Sequence, residues 1–137
     1  MHEPVKATIV LDQDVDRGLV EASIPTDGQV SVTGVVEGLV EADHALQDPT
    51  IDLLAIACHG APETVLDLVR RATTMRSSRP VVVLCEAAPE YYVPALLEAG
   101  ADDVIKLPET SERVMFSLEK AVARRRGRLV ESNGELA

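Results

Sequence analysis

Hydrophobic residues in this chain fall into five short runs that are rich in β-branched side chains and bounded by turn residues, a pattern typical of β-strands. The predicted strands are residues 7–12, 30–36, 51–57, 80–86 and 103–107. Four of these runs are almost continuously apolar, as expected of strands that helices cover on both faces of a parallel sheet. The pattern therefore predicts a buried, parallel sheet.

Longer stretches between and after the strands carry apolar residues at helical spacing. The predicted helices are residues 15–24, 37–46, 62–75, 93–99 and 111–125. The last is the clearest, because Val114, Leu118 and Val122 share one stripe and either Thr110 or Ser111 can cap its start. The regular alternation of strand and helix predicts right-handed crossovers and a three-layer α/β domain with a doubly wound, five-stranded parallel sheet.

The length of 137 residues and the hydrophobic content of 46% fit one domain with a sizeable core. We predict that residues 1–126 form that domain and that residues 127–137 are a solvated tail or linker. Apolar runs stay well short of the roughly 20 residues that a membrane helix needs, and the first residues lack the charged-then-apolar build of a signal peptide. The chain is therefore expected to be cytoplasmic, without direct membrane insertion.

Charge is distributed unevenly around the net value of −10. Residues 1–69 carry 13 acids and only Lys6 and Arg17 as bases, whereas residues 70–137 carry 11 bases and 10 acids. Nucleic-acid binding is disfavoured, because phosphate contacts need a basic face. The basic cluster at residues 124–126 is interpreted as cations favoured near a helix C-terminus, with a docking patch or the start of a linker as the alternative.

Two cysteines, Cys58 and Cys85, each end an apolar run, which favours free, buried thiols over a disulfide or a metal site. Cys58 precedes His59, and a Cys–His pair can serve a thiol enzyme. Adjacent residues of an extended segment point apart, however, so this chemistry is not expected.

Other polar groups are interpreted as structural. Asp12, Asp14 and Asp16 lack the glycine and the bidentate glutamate of a calcium loop, and carboxylates at a helix start explain them better. Asp102 and Asp103 are interpreted as a turn pair ahead of the fifth strand. Glycine spacings match neither GxxxxGK[ST] nor GxGxxG, so nucleotide hydrolysis is not predicted. We predict no bound metal and no cofactor.

In open α/β sheets, chemistry takes place beyond the carboxyl ends of the strands. The segment EAGADDVIKLP, residues 98–108, resembles the end of the fourth helix and the fifth strand of bacterial response-regulator receiver domains, and the likeness extends over roughly residues 6–125. This resemblance to two-component signalling proteins implies the strand order 2-1-3-4-5.

A working receiver forms an aspartyl phosphate with the help of an acidic pair that holds Mg²⁺, a hydroxyl, an aromatic switch and a lysine. The resemblance places the acidic pair on Asp12 and Gln13 and the nucleophile on Ala57. It places the hydroxyl on Cys85, the aromatic switch on Val104 and the lysine on Leu107. Of these, Asp12 alone keeps the expected side chain. Lys106 is one residue early, and strand alternation would send it to the opposite face from Leu107. The phosphorylation site is thus degenerate, and we expect no enzyme activity.

Residues 81–127 more closely resemble the atypical N-terminal receiver of the CpaE/TadZ proteins, which assemble tight-adherence (Flp-type) pili. In that family the receiver precedes a ParA/MinD-like ATPase domain. The resemblance implies a phosphorylation-independent interaction and localisation module, recruited to the inner face of the membrane or to a cell pole. The implied partners are proteins, namely a second copy in a weak homodimer and the ATPase domain of the same polypeptide.

Two other classes stay open from the sequence. A stand-alone or transcription-linked pseudo-receiver that acts through partner or ligand binding would have the same degenerate site. An enzyme on a flavodoxin-like frame is the other, since fold alone does not fix function.

The expected interaction surface is the face formed by the fourth helix, the fifth strand and the fifth helix. Its candidate residues are Tyr91, Tyr92, Leu97 and Met115. Tyrosine is favoured at interfaces because it combines apolar area with a polar tip. Tyr91 and Tyr92 are adjacent and cannot both face inward on a helix, so at least one is expected on the surface.

Overall fold

Five strands and five helices alternate in the computed structural model, which describes residues 5–24, 28–76 and 79–136, with side chains up to residue 127. The strands are β1 (Val5–Leu11), β2 (Val30–Glu37), β3 (Leu53–His59), β4 (Val81–Glu86) and β5 (Asp103–Leu107). The helices are α1 (Arg17–Ser23), α2 (Gly38–Gln47), α3 (Glu63–Met75), α4 (Tyr92–Ala99) and α5 (Ser111–Leu136). Each predicted element is present.

The strands form one parallel sheet in the order β2-β1-β3-β4-β5, which confirms the predicted fold. The chain winds outward from β1 in one direction to β2 and then in the other direction through β3, β4 and β5. The carboxyl ends of β1 and β3 are therefore neighbours at the point where the winding direction changes, which is where α/β sheets of this kind bind ligands.

Two hydrophobic cores lie on opposite faces of the sheet. The α1–α5 core packs those two helices against β-strand residues that include Leu11, Ala57 and Leu107. The α2–α4 core packs the other three helices against residues that include Ile56 and Cys58. Successive residues of β3 thus serve opposite layers, as the two-residue period of a strand requires.

The edge strand β2 contributes to both cores because it contains a β-bulge. Its register with β1 shifts between Ala7 and Thr8, which leaves Thr33 as an extra residue. An extra residue reverses which face the following side chains point to. Val32 accordingly packs against the α1–α5 core, whereas Val36 packs against the α2–α4 core.

Helix starts follow the predicted caps. The Asp16 carboxylate accepts hydrogen bonds from the backbone N–H groups of Gly18 (2.9 Å) and Leu19 (3.3 Å), so it is the N-cap of α1. The Thr110 hydroxyl accepts one from Arg113 N at 3.3 Å at the start of α5. All three bonds satisfy amides that a helix leaves without an internal partner.

The end of α5 differs from the prediction. The helix continues to Leu136, so the backbone of residues 127–136 is helical, and the expected end near residue 125 is wrong. Gly100 ends α4 with a φ of 120°, but Gly127 stays inside its helix. A glycine terminates a helix only where it adopts the left-handed conformation, and sequence alone did not reveal that difference.

A buried arginine fixes the end of α2 to the beginning of β4. Arg79 is 1% exposed, and its guanidinium donates to the carbonyl oxygens of Leu46 at 2.8 Å and of Ala45 and Asp48 at 3.4 Å. Burial lowers the pKa of Arg79. These carbonyls belong to the last turn of the helix, where a cation is favourable.

Candidate functional site

Ala57 lies near the carboxyl end of the central strand β3 and is completely buried. Its register partners are Leu11 in β1 and Leu84 in β4. Its carbonyl oxygen accepts a hydrogen bond of 2.9 Å from the backbone N–H of Asp12. The position expected to carry a nucleophile therefore presents one methyl group within an apolar layer.

The other residues of the degenerate site divide between the two faces of the sheet. Leu107 is 7% exposed and packs with Ala57 in the α1–α5 core. Cys85 lies in the α2–α4 core, and Val104 packs against that core. Asp12 is half-buried and Gln13 is exposed.

Lys106 lies where strand alternation predicts. Ile105 and Leu107 pack in the α1–α5 core, whereas Val104 faces the α2–α4 core. Lys106 alternates with them and is exposed beside the edge of β5. The only described lysine of β5 thus has the wrong orientation to replace Leu107.

The Glu86 carboxylate contacts the N-cap residue of α1 and the last residue of β3. Its Oε2 accepts a 3.0 Å hydrogen bond from Asp16 N, and its Oε1 lies 3.3 Å from His59 Nδ1. Its carbonyl also accepts from Gly60 N at 2.8 Å. The adjacency of β3 and β4 places this carboxylate beside His59, a contact between segments far apart in the sequence.

Cys58 and Cys85 are register partners, and their sulfur atoms lie 3.9 Å apart in the α2–α4 core. Hydrogen bonding to Cys85 and burial raise the pKa of Cys58. A thiol that stays protonated is a weak nucleophile. Cys58 is fully buried while His59 is exposed, so the two side chains diverge as expected.

Asp14 and Asp16 are both exposed, and the Asp16 carboxylate is engaged as the cap of α1. Within the described residues, no three His, Cys, Asp or Glu side chains lie close enough together to hold a metal ion. In the same part of the chain, no helix has the length and apolar character needed to cross a membrane.

A cleft of about 470 Å³ opens between the ends of β1 and β3 and the starts of α2 and α3. Apolar side chains form its floor, and the residues are Val10, Ala42, Ile56, Val65 and Leu68. Polar side chains surround its mouth, and they are Asp12, Gln13, Arg17, Glu37 and Thr64. Sequence reasoning missed this cleft because the residues that line it come from six separate elements.

Several solved structures resemble this chain. A pilus assembly-related protein from Burkholderia pseudomallei K96243 has a TM-score of 0.62 and 16% identity, covering 90% of this chain and 93% of its own. A CpaE2 pilus assembly protein from Sinorhizobium meliloti 1021 has a TM-score of 0.64 and 14% identity, covering 83% and 98%. An atypical orphan response regulator with a phosphorylation-independent regulatory mechanism has a TM-score of 0.60 and 18% identity, covering 85% and 95%.

The chain has the receiver fold. Identities of 14–18% show the fold alone, and function has to be argued from the site. No protein-family model and no curated protein matches the chain.

Exposed apolar side chains lie on α4 and α5, two of the elements of the predicted interaction face. Tyr91 and Phe116 are each 69% exposed, and Leu97 is 47% exposed. The prediction that at least one of the adjacent tyrosines lies on the surface is therefore confirmed. Phe116, the only phenylalanine, was missed, because it is flanked in sequence by the core residues Met115 and Ser117.

Two of the residues proposed from the sequence for this face are buried instead. Tyr92 is 1% exposed, and its hydroxyl donates a 2.6 Å hydrogen bond to the carbonyl of Pro62, at the start of α3. Met115 is 7% exposed and covers the backbone of Gly28. Their inclusion in the candidate surface was wrong, because the helix rotation that exposes Tyr91 and Phe116 turns their neighbours inward.

Proposed function

We propose that this receiver-fold domain is a phosphorylation-independent, non-catalytic interaction and localisation module of a tight-adherence pilus assembly protein whose ATPase domain is outside this chain. The observation that carries the proposal is the exposure of three large apolar side chains, Tyr91, Leu97 and Phe116, on the elements of the α4–β5–α5 face. Exposed aromatic and aliphatic side chains that share one face mark interaction sites.

The chemistry of the strand ends supports a non-catalytic role. Phosphoryl transfer needs a nucleophilic oxygen at position 57 and a cation near position 107 to neutralise the phosphoryl oxygens. Ala57 has no nucleophilic atom, and Leu107 is apolar and packed in the α1–α5 core. Partner binding then regulates the domain without a phosphate.

The assignment to pilus assembly is supported by the resemblance of residues 81–127 to the CpaE/TadZ receivers and by two similar solved structures, both of pilus assembly proteins. The domain acts in the cytoplasm, and its partners bring it to the inner face of the membrane or to a cell pole. Those partners are a second copy, bound weakly, and the ATPase domain of the same polypeptide.

A second candidate is a stand-alone or transcription-linked pseudo-receiver that responds to a partner or a small ligand. The cleft of about 470 Å³ favours it, since this volume is in the range of small-molecule sites. The gene sequence after Ala137 separates the two candidates. A Gly-Lys phosphate loop supports the pilus protein, whereas a DNA-binding helix-turn-helix supports the pseudo-receiver.

The interaction face is tested by sedimentation velocity over a wide range of concentrations. The double variant Tyr91→Ser/Leu97→Ser should associate at least about tenfold more weakly than the wild type, with itself or with the ATPase domain, because both side chains bury apolar area on binding. Met75→Ser is the matched control, since Met75 is a 51% exposed residue at the end of α3, away from this face.

Circular dichroism should show the same fold for all three proteins. If the double variant associates with itself and with the ATPase domain as the wild type does, this face is not the interaction surface.

A further inference from the structure

Two segments of the chain carry opposite net charge. Residues 12–48 contain nine acids and one arginine, whereas residues 113–128 contain six bases and one acid, Glu119. Leu39 lies on α2, in the helical layer on one face of the sheet, whereas Phe116 lies on α5, in the layer on the opposite face and beside β5. Because the sheet separates these two layers, Phe116 does not reach the cleft beside Leu39 in the same copy.

The acidic side contains the cleft between the ends of β1 and β3 and the starts of α2 and α3. Leu39 borders it and is 63% exposed, and the floor beneath is apolar. Asp12 and Glu37 supply negative charge at the mouth, and Arg17 is engaged there by Glu37 at 2.6 Å and by Glu21 at 2.9 Å. A cleft with an apolar floor and an acidic rim suits an apolar group flanked by cations.

Helix α5 carries an apolar side chain, Phe116, that is flanked by cations. Arg113, Phe116, Lys120 and Arg124 follow one another at spacings of three and four residues, which places them on one stripe of α5. Phe116 is 69% exposed, and Lys120 Nζ lies 6.0 Å from the centre of its ring.

Acids are present near the first turns of this helix. Glu109 pairs with Arg113 at 3.3 Å, and the exposed Glu112 lies one turn before Phe116. Beyond Phe116 the described side chains of α5 include Lys120, Arg124 and Arg126, all exposed, against the half-buried Glu119. The stripe therefore becomes increasingly basic toward the end of the helix.

We propose that Phe116 of one copy inserts into the Leu39-bordered cleft of a second copy, with Lys120 and Arg124 facing the acidic rim. This inference rests on the proposed function, because it names the surface that receives the α5 part of the interaction face. The two surfaces are different and lie on opposite sides of the domain, so the contact is heterologous. Repeating a heterologous contact adds copies head to tail without closing at a dimer.

Two single variants test the contact because each removes a different half. Leu39→Ser disables the cleft side and Phe116→Ser disables the aromatic side, and both positions are exposed on helices, so the fold should persist. In sedimentation velocity the wild-type mass should rise steadily with concentration beyond that of a dimer, while each variant alone should stay monomeric.

The mixture of the two variants gives the sharpest result. An equimolar mixture should form one-to-one dimers, because the Phe116→Ser chain keeps its cleft and the Leu39→Ser chain keeps its phenylalanine. Raising the ionic strength from low to high salt should weaken wild-type association by about tenfold, since the flanking charges are screened.

Matched controls lie close to both positions. Val40→Ser changes the neighbouring 67% exposed residue of α2, which does not border the cleft, and Met75→Ser changes an exposed residue of α3. Both controls should associate like the wild type.

Three outcomes overturn the inference. If Leu39→Ser self-associates like the wild type while Phe116→Ser is monomeric, the contact is a symmetric one between α4–β5–α5 faces, and the proposed function survives without the cleft. If the mixture forms no dimers, the two surfaces are not complementary. If the wild type is monomeric at millimolar concentration, copies do not bind one another. The proposed function is then tested only by measuring the binding of this domain to the ATPase domain.

Discussion

Ala57 sits in the strand position where receivers carry their phosphate-accepting aspartate, between Leu11 and Leu84 on the neighbouring strands. The side chains around it are apolar and belong to the α1–α5 core, in which Leu107 also packs. A carboxylate introduced at this position would lose hydration without gaining a cation. The absence of a carboxylate at position 57 is thus matched by the apolar side chains around it.

We expect no phosphorylation of the wild type by acetyl phosphate with Mg²⁺, and none of Ala57→Asp, because Leu107 leaves the developing phosphoryl charge unneutralised. Intact-mass spectrometry after incubation is the measurement, with an active receiver domain as the positive control. The gain of one phosphoryl group on a carboxylate of either protein would contradict the expectation.

Ionisation of Tyr92 makes the free energy of unfolding depend on pH in the alkaline range. Burial, followed by the nearby Cys58 and Cys85, raises the pKa of this phenol in the folded protein. The unfolded chain releases the Tyr92 proton near pH 10 while the folded protein retains it, so the unfolded state binds fewer protons. The Tyr92 contribution to stability is therefore complete below about pH 10 and falls as the pH rises further, by up to about 1.4 kcal/mol per pH unit.

Urea denaturation at several values between about pH 9 and pH 11.5 tests this linkage. The variant Tyr92→Phe should be less stable at neutral pH, because the bond to the Pro62 carbonyl is lost, and should show a shallower alkaline decline than the wild type. Tyr91→Phe is the control, because that hydroxyl is on the exposed side of the helix start. Equal slopes for all three proteins would mean that Tyr92 ionises in the folded state.

Helix α5 is fastened to the sheet by a buried ion pair. The Asp102 side chain is 2% exposed, and its Oδ1 accepts from Arg125 Nε at 2.8 Å while its Oδ2 accepts from Arg125 Nη2 at 3.1 Å. Val81 N also donates to Oδ2 at 2.8 Å. The turn pair predicted at Asp102 and Asp103 thus joins β4, β5 and α5, and Asp103 accepts a hydrogen bond from the Ser117 hydroxyl.

Asp102→Asn should lower the free energy of unfolding by about 3 kcal/mol, since it removes the negative charge from a buried ion pair. Chemical denaturation measures the change. Asp67→Asn is the control, because the Asp67–Arg70 pair is exposed and exposed pairs contribute little. An Asp102→Asn protein as stable as the control would show that water replaces the pair.

At the scale of the whole molecule, the order of the strands determines which surfaces can act together. Residues 12–48 carry nine acids, and the helix that ends this segment, α2, lies on the face of the sheet opposite the basic helix α5. Complementary charges on opposite sides favour contacts between copies over contacts within one copy. The bare sequence shows the charge imbalance but not this geometry.

The sequence by itself determined the ten elements, the layer architecture, the degenerate residues at the strand ends and the caps at Asp16 and Thr110. These features depend on local periodicity and on residue identity, which can be seen one segment at a time. The tertiary structure decided the burial of Tyr92, the exposure of Phe116, the Asp102–Arg125 pair and the cleft beside Leu39. Each of these depends on contacts between segments far apart in the chain, and the free energy of packing those segments sets the rotation of every helix.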